Sequence, residues 1–358
     1  MKRHEARRGR GAPENRTPTR FALPEREADG DWLDSRETLD GDPPPLRTTV
    51  TVERPKTIIT RNKSPDIGFD RSINPYRGCE HGCIYCFARP SHAFHDLSPG
   101  LDFESKLFAK PDAAALLRAE LSKPGYRVAP IAMGTNTDPY QPIEGHWQIT
   151  RSVIALLCET DHPLMITTKS DRVLRDLDLL APMAAKRLAC VALSITSLTP
   201  EIARTLEPRA PSARKRLAAV KALAEAGVPT IVGVSPVIPS ITDHELEAIV
   251  EAAAEAGASG CFCLPVRLPY EVAPLFRAWL DEHYPERAEK VMAIIQSMRG
   301  GRDNDPNWFS RMKGSGPWAE LLATRFRIAL ARHSFKERPR QLRTDLFRPP
   351  DGAQLRLL

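Results

Sequence analysis

Short apolar segments rich in β-branched residues alternate along the chain with longer segments in which apolar residues recur every three or four positions. The short segments are typical of buried strands, and the longer ones are typical of amphipathic helices. Strands are predicted at 71–76, 129–133, 164–168, 188–195, 230–234 and 260–264. Helices are predicted between them at 112–121, 150–159, 171–183, 213–226 and 243–256.

The order of these elements predicts the fold class. After a longer first interval, the predicted strands follow one another at about 25–40 residues, the length of one strand–helix unit. Strands joined by helical crossovers run parallel, and successive right-handed crossovers wind them into a barrel or a doubly wound sheet. We therefore expect an α/β protein with a partial (β/α)6 TIM-type barrel over residues 56–270.

The sequence on either side of the predicted barrel has a different character. Residues 1–55 lack apolar periodicity and are rich in Pro, Asp, Glu and Arg. This composition predicts a disordered tail and linker, with one short strand at 48–52. Residues 271–335 have helical apolar spacing and predict an extension that packs on the barrel. Residues 336–358 are predicted to form a basic tail.

Charge is distributed unevenly along the 358 residues, whose formal net charge is +6. The first 20 residues contribute +5 and the last 23 contribute +3, so the body of the chain is slightly acidic. Basic tails of this kind can bind phosphate backbones without sequence preference. The chain has neither an apolar run of about 18 residues nor the apolar core of a signal peptide. We therefore expect a soluble, cytoplasmic protein with no membrane partner.

Three of the seven cysteines, Cys79, Cys83 and Cys86, are crowded into eight residues directly after the first predicted strand. An odd, clustered set argues against a secreted disulfide framework and indicates reduced thiols or a metal site. Thiolates are the ligands of iron–sulfur clusters, and three of them on a four-iron cube leave one iron open. The alternative is a non-catalytic module that binds zinc or a structural iron–sulfur cluster. In the zinc case His81 would complete the site, although four ligands from so short a loop would be strained.

The Cys-x3-Cys-x2-Cys spacing, with Tyr85 before the third cysteine, resembles the radical S-adenosylmethionine (SAM) superfamily. The resemblance covers most of residues 57–331. Segments 66–90, 134–142, 168–170, 206–211 and 267–269 are similar to the branch related to spore photoproduct lyase. The resemblance implies a partial barrel, a [4Fe-4S] cluster on the three cysteines, and SAM bound at the open iron. One-electron cleavage of SAM would then give a 5′-deoxyadenosyl radical that abstracts hydrogen from a substrate.

The resemblance also implies which residues meet SAM. Tyr85, with Phe87 on the other side of the third cysteine, borders the adenine. Asp138, in the segment Gly-Thr-Asn-Thr-Asp, meets the amino group and the ribose. Lys169, at the end of the third predicted strand, pairs with the carboxylate. Each residue also has an ordinary structural role open to it: loop packing for the rings, a local cap for Asp138, and a solvated side chain for Lys169.

Further candidates follow from the residues themselves. Ser194 ends the fourth predicted strand, where its hydroxyl either binds ribose or fills space in the strand. Arg209 lies in the following loop, where it either clamps a carboxylate or phosphate, held in place by Glu207, or forms a surface ion pair. Cys261 and Cys263 share one face of the sixth strand, and we expect inert buried thiols rather than hydrogen-atom donors or metal ligands.

The related lyase carries a cysteine close before its Thr-Ser-Asp segment, whereas the corresponding stretch here, 133–138, has none. The resemblance to the lyase therefore implies the same class of chemistry but not the same substrate. Nucleic acid is the first expectation for the substrate, from the family branch and the basic tails, and a protein or small molecule is the second. We expect the electron to come from a reducing partner such as flavodoxin or ferredoxin.

Overall fold

The computed structural model describes residues 9–18, 46–335 and 341–350. The strands in these ranges are β1 (Thr49–Val52), β2 (Ile59–Arg61), β3 (Arg71–Ile73), β4 (Tyr76–Arg77), β5 (Lys106–Ala109), β6 (Ile131–Met133), β7 (Leu164–Thr168), β8 (Ala189–Ser194), β9 (Thr230–Val237) and β10 (Gly260–Pro265). The helices are α1 (Leu101–Ser105), α2 (Ala113–Leu121), α3 (Glu144–Trp147), α4 (Ile149–Glu159), α5 (Leu177–Ala185), α6 (Pro200–Leu206), α7 (Ala213–Glu225), α8 (Leu246–Glu255), α9 (Val272–His283), α10 (Ala288–Ser297), α11 (Ser310–Lys313) and α12 (Pro317–Arg332). Short 3-10 segments lie at Arg89–His95, Asp171–Asp176 and Asp243–Glu245. None of the helices in the described ranges has the length and hydropathy needed to cross a membrane.

Six parallel strands form the central sheet in the order in which they occur in the chain, β3-β6-β7-β8-β9-β10. The short antiparallel strand β2 pairs with β3 at one edge. Across the middle of the sheet, Met133 pairs with Ile166 and Val191 pairs with Thr230. The six strands lie where the apolar pattern predicts them, which confirms a mixed α/β fold built on a parallel sheet.

Apolar side chains hold the strands in the interior. All three residues of β6 are buried, and Val191 and Leu193 of β8 are fully buried. Helices cover the sheet with one apolar stripe each. Val153 and Leu157 of α4, for example, lie four positions apart on the same helix face and are both fully buried. Because parallel strands all end at one edge of the sheet, the loops that follow them meet there.

A second, three-stranded sheet carries the cysteine segment. Its order is β1-β5-β4, with β1 parallel and β4 antiparallel to β5. Strand β4 ends at Arg77, just before Cys79, and the chain returns through α1 to β5. The sequence predicted β1, where threonine and valine alternate, but not β5, where Leu107, Phe108 and Ala109 form an apolar run without alternation. This sheet therefore fixes both ends of the cysteine loop, which we define as residues 78–88.

The structure differs from the predicted disordered tail at residues 9–18. These residues lie against the body of the protein, where the backbone N–H groups of Gly11 and Ala12 donate to the Glu104 carboxylate at 2.9 and 2.8 Å. The apolar pattern did not reveal these contacts, because they use main-chain groups rather than apolar side chains. The stretch 46–55 contains the strand predicted at 48–52, which is β1 and pairs with β5. The rest of the predicted tail, 1–8 and 19–45, lies outside the described residues.

Beyond β10 the chain continues through the helices α9 to α12. Phe276 of α9 and Ile295 of α10 are fully buried in one apolar cluster with Val266, which follows β10. Helix α12 lies against α8, where Arg325 pairs with Glu247 at 2.6 Å. The extension is thus packed on the sheet and on the helices that cover it.

Part of the predicted basic tail packs at the opposite edge of the sheet from the cysteine loop. The Arg348 N–H donates to the Thr160 carbonyl at 2.9 Å, shortly before β7 begins. The Phe347 ring lies 5.3 Å from the His162 ring, centre to centre. Residues 341–350 of the predicted basic tail thus lie against the body of the protein, whereas 336–340 and 351–358 lie outside the described residues.

Candidate functional site

The three clustered cysteines lie in a loop that begins directly after β4. Gly78 has a φ of +72°, a conformation that favours glycine, and an added Cβ would lie 2.6 Å from Leu107. The Cys79 N–H donates to the Phe103 carbonyl at 3.0 Å. Further along, the N–H of the third cysteine donates to the Cys83 carbonyl at 3.2 Å. The loop is therefore held in tight turns by its own backbone and by α1.

Burial sets the chemistry of the three thiols. Cys79 and Cys83 are buried, Cys86 is half-buried, and none of the three forms a disulfide. Burial raises the pKa of Cys83 to about 12 and raises the pKa of Cys79 well above its ordinary value. Neighbouring cysteines of the loop raise the pKa values of Cys79 and Cys83 further. The backbone N–H of His81 donates to the Cys79 sulfur, which partly offsets the rise in the pKa of Cys79. The loop thus presents three neighbouring soft donors, which is the donor set of an iron–sulfur site.

His81 is buried within the cysteine loop and lies against a carboxylate. Its Nδ1 is 3.3 Å from Oδ2 of Asp138. Metal-bound histidines usually have such a partner on the second ring nitrogen, so this contact is the feature that a zinc site would use. Within the described residues, no group of three Cys, His, Asp or Glu side chains is gathered as it would be around a single metal ion.

Asp138 lies where the loop after β6 meets the end of β7. Its carboxylate accepts from the Thr168 hydroxyl at 2.6 Å, from the Lys169 N–H at 2.8 Å and from the Tyr140 N–H at 2.9 Å. Burial raises the pKa of Asp138, but the His81 ring and the first two donors outweigh it and lower the pKa to about 2. The carboxylate is therefore ionised and bonded to protein donors, and its expected contact with SAM stays a prediction.

The polar segment after β6 also supports the cysteine loop. The Thr137 hydroxyl and the Gln141 amide both donate to the Gly78 carbonyl, at 2.6 and 3.2 Å. Gly134 has a φ of +88°, and a Cβ there would lie 2.0 Å from the Thr167 carbonyl oxygen. Only glycine therefore lets the ends of β6 and β7 approach so closely. The segment that the sequence predicts as a cofactor contact thus also anchors the loop that carries the thiols.

Lys169 places a positive charge beside the cysteine loop. Its Nζ lies 5.6 Å from the centre of the Tyr85 ring. Burial lowers the pKa of Lys169, but the nearby Cys83 and Glu207 outweigh it, so the pKa is raised and the amine stays charged. A half-buried cation at this point suits the carboxylate of a bound amino-acid group.

A buried network that the sequence did not predict holds Tyr85 in place. Glu207 accepts hydrogen bonds from the hydroxyls of Tyr85 and Thr196 and forms an ion pair with Arg216. The Arg216 guanidinium also donates to the Ser194 carbonyl at 2.8 Å. Burial raises the pKa of Glu207, but Arg216 and the other donors outweigh it and lower the pKa to about 2. Only a weak pattern in the sequence pointed to this network: Glu207 and Arg216 lie nine positions apart, on either side of the start of a predicted helix.

Glu207 does not hold Arg209, contrary to our prediction. Arg209 instead pairs with Glu80 at 3.1 Å, and its backbone N–H donates to the His81 carbonyl at 3.3 Å. The physical reason is that Arg216 reaches the Glu207 carboxylate from α7, in the interior, whereas the Arg209 side chain is partly exposed. Arg209 therefore ties the loop after β8 to the cysteine loop.

The remaining predicted residues lie around this centre. Ser194 is buried at the end of β8, at the edge where the cysteine loop lies. Phe87 is 55% exposed, so its ring lies at the surface. Burial raises the pKa of Cys261 and of Cys263 to about 12, and Cys263 lies near Arg325 of α12. Both thiols are half-buried against the main apolar cluster, and their expected inertness stays a prediction.

The donor set fits the groups that the sequence predicts. Three thiols neighbour one another, a backbone N–H donates to one of their sulfurs, and the half-buried Lys169 amine lies beside them. Cys79, Cys83 and Cys86 would hold a [4Fe-4S] cluster, and Lys169 would pair with the carboxylate of SAM. Because thiols bind metal as thiolates, loading would release protons that burial otherwise retains.

A family model and curated relatives match this chain. The model, described as the radical SAM superfamily, matches residues 73–253, about half of the chain. An uncharacterized protein of Mycobacterium tuberculosis is 39% identical over 240 residues, which cover 66% of this chain and 71% of that protein. An uncharacterized protein of Methanocaldococcus jannaschii is 30% identical over 236 residues, which cover 66% of this chain and 84% of that protein.

Solved structures of spore photoproduct lyase share the fold. The lyase complexed with dinucleoside spore photoproduct matches with a TM-score of 0.55 and 18% identity, over 80% of this chain and 79% of that chain. A mutant lyase with the same dinucleoside matches with a TM-score of 0.56 and 17% identity, over 88% of this chain and 86% of that chain. With the family model and the cysteine loop, these matches lead to one assignment. The chain belongs to the radical SAM superfamily.

Proposed function

We propose that this protein is a radical SAM enzyme in which Cys79, Cys83 and Cys86 hold a [4Fe-4S] cluster. The observation that carries the proposal is the meeting of these thiols with the Lys169 amine at the carboxyl edge of a parallel sheet. Cys83 and Lys169 are close enough for each to shift the pKa of the other. Held by these thiols and reduced, such a cluster would supply one-electron cleavage of SAM, the chemistry that leads to hydrogen abstraction from a substrate.

The chain's own residues bind and orient SAM in this proposal. Lys169 pairs with the carboxylate of SAM, which a half-buried, charged amine suits. The Tyr85 ring borders the adenine, and its hydroxyl is fixed by the bond to Glu207. Because Tyr85 is already held by the protein, little ordering of its ring is needed when SAM binds.

The other proposed contacts with SAM depend on the curvature of the sheet. We propose that the six parallel strands curl into the partial barrel, so that Ser194 at the end of β8 faces the ribose. Asp138, at the neighbouring strand ends, meets the amino group. Phe87 and Arg209 lie on the more exposed side of the cysteine loop and close the site there.

Nucleic acid is the substrate class we propose. It is supported by the shared fold with a lyase whose structure holds a dinucleoside photoproduct, and by the basic ends of the chain. Part of that basic charge is engaged within the protein, since Arg10 donates to the carbonyls of Glu104 and Leu46. Fluorescence anisotropy with a labelled single-stranded oligonucleotide tests the proposal. No binding at low salt, or binding that salt does not weaken, would contradict it.

The proposed activity is tested by reconstituting the full chain with iron and sulfide without oxygen, then adding dithionite and SAM. Mass spectrometry should find 5′-deoxyadenosine with the wild type and none with Cys83→Ala. Cys158→Ala is the matched control, because this thiol lies in α4, outside the cysteine loop. Zinc uptake without iron uptake would contradict the proposal and favour the non-catalytic alternative.

Two further proposals concern the setting of the reaction. We propose a cytoplasmic protein whose cluster is reduced by a partner such as flavodoxin or ferredoxin. In the same assay, either reduced partner in place of dithionite should support formation of 5′-deoxyadenosine. If neither one does so while dithionite does, these two partners are wrong and the activity itself still stands.

A further inference from the structure

We propose that residues 10–16 form a strap that locks the cysteine loop in its metal-binding conformation and covers it from outside. Gly11 and Ala12 of the strap make the central contacts. The inference rests on the proposed function for the nature of the bound metal group, and on geometry alone for the strap itself. The strap is a positioning element, because it acts on the thiols through the loop rather than by touching a substrate.

A fully buried ion pair supports the backbone of the cysteine loop. The Arg89 guanidinium donates to the carbonyls of Gly82 and Cys83, at 3.1 and 2.9 Å. Arg89 pairs with Glu104, and both side chains are completely buried. Glu104 therefore holds the Arg89 guanidinium, and the guanidinium in turn holds the backbone at the second cysteine.

The strap completes the contacts of that buried carboxylate. The Gly11 N–H donates to one Glu104 oxygen at 2.9 Å, and the Ala12 N–H donates to the other at 2.8 Å. A buried carboxylate that loses such donors is strongly destabilised. The strap therefore helps to fix Glu104, the partner of Arg89, whose guanidinium is also held by the carbonyls of Pro99 and Gly100.

The strap also touches the cysteine loop directly. A Cβ added to Gly11 would lie 1.7 Å from the Gly82 carbonyl oxygen, so only glycine permits this approach. Ala12 is buried in one apolar cluster with Cys83 and Ile84. The main chain of the strap thus covers the loop at the residues that flank the second thiol.

Side chains fasten the strap at both of its ends. Arg10 donates to the Glu104 carbonyl at 2.6 Å and to the Thr48 hydroxyl at 3.3 Å. Asn15 exchanges two hydrogen bonds with Asp102, at 3.2 and 3.0 Å. These bonds explain why an Arg- and Pro-rich segment is held in place, since its polar groups find partners on the body of the protein.

Two alanine variants of the full chain form a matched pair for the test. Gly11→Ala inserts a methyl group into the contact with Gly82, whereas a Cβ at Gly68 meets no atom within 4 Å, and neither glycine has a positive φ. In the metal-free protein, iodoacetamide should alkylate Cys83 on the order of tenfold faster in Gly11→Ala than in the wild type, because local opening controls access. Mass spectrometry gives this rate, and Gly68→Ala should match the wild type. In the reconstituted proteins, a chelator should also remove iron faster from Gly11→Ala than from the wild type or the control variant.

A third variant keeps the test decisive if Gly11→Ala fails to fold. Asn15→Ala releases the far end of the strap without inserting an atom, and it should raise the alkylation rate of Cys83 by a smaller factor. Circular dichroism checks the fold of each variant. Folded variants that match the wild type in both alkylation and iron release would overturn the strap. If the wild type takes up no iron, the proposed function fails, while the alkylation rates still decide the strap.

Discussion

The Lys169 amine lies 5.6 Å from the centre of the Tyr85 ring, although the two residues belong to different elements of the fold. Glu207 connects them, because it accepts a hydrogen bond from the Tyr85 hydroxyl and its charge helps to raise the pKa of Lys169. One buried carboxylate therefore fixes the ring and stabilises the cation. This arrangement holds the proposed SAM contacts in place before SAM binds.

Replacing Lys169 by methionine should weaken SAM binding and leave the cluster in place. Hydrogen bonds to charged groups contribute about 1.5–3 kcal/mol, so the dissociation constant should rise by about 10- to 100-fold. Equilibrium dialysis of the reconstituted protein with labelled SAM measures the change. Lys221→Met, at an exposed position of α7, is the matched control and should bind SAM as the wild type does. If Lys169→Met binds SAM as tightly as Lys221→Met does, Lys169 does not contact SAM.

Replacing Glu207 by glutamine should destabilise the metal-free protein. The change leaves the Arg216 guanidinium buried without its counter-charge, and breaking a buried pair in this way costs about 3–5 kcal/mol. Urea unfolding at neutral pH measures the loss. Glu201→Gln breaks an exposed ion pair with Arg204 and should change stability little. A Glu207→Gln protein as stable as the wild type would show that the network does not support the fold.

The same carboxylate predicts how stability depends on pH. The folded protein lowers the pKa of Glu207 from 4.5 to about 2, so the ionised form stabilises the fold. This contribution is fully present above pH 4.5 and is lost as the pH falls toward 2. The gap in unfolding free energy between the wild type and Glu207→Gln should therefore narrow over that interval. A gap that stays constant from pH 7 to pH 3 would contradict the lowered pKa.

Gly134→Ala should separate the ends of β6 and β7. The added Cβ would lie 2.0 Å from the Thr167 carbonyl oxygen, and φ is +88°. Gly125→Ala is a matched control, since its φ is +78° and its Cβ would meet no atom within 4 Å. Both variants bear the strain of a left-handed residue, about 1–2 kcal/mol, and the clash should add about 1–3 kcal/mol to the first. Thermal unfolding that shows equal losses in the two proteins would refute the close approach.

Much of the fold could be predicted because its signals are local. The strand at 164–168 is a short apolar segment between a helix and polar residues, and the structure has it with the same bounds. Cys79, Cys83 and Cys86 were recognisable for the same reason, since their spacing is readable within one loop. Residues close in sequence report on one another, and no knowledge of the tertiary structure is needed.

The parts that the sequence did not reveal depend on contacts between distant residues. Glu207 lies 122 positions from Tyr85, and nothing near either residue indicates that they bond. The strap has polar composition and was predicted to be disordered, yet Gly11 reaches Glu104 across 93 positions through its main chain. Hydrogen bonds from backbone groups carry no side-chain pattern, so hydrophobic periodicity cannot detect them.

Electron paramagnetic resonance of the reduced, reconstituted protein, recorded with and without SAM, tests the central claim most directly. Three cysteines on a four-iron cluster leave one iron free, so SAM should change the spectrum by binding to that iron. We predict such a change in the wild type, the same change at higher SAM concentration in Lys169→Met, and no cluster signal in Cys83→Ala. A wild-type spectrum that stays the same at saturating SAM would contradict the account.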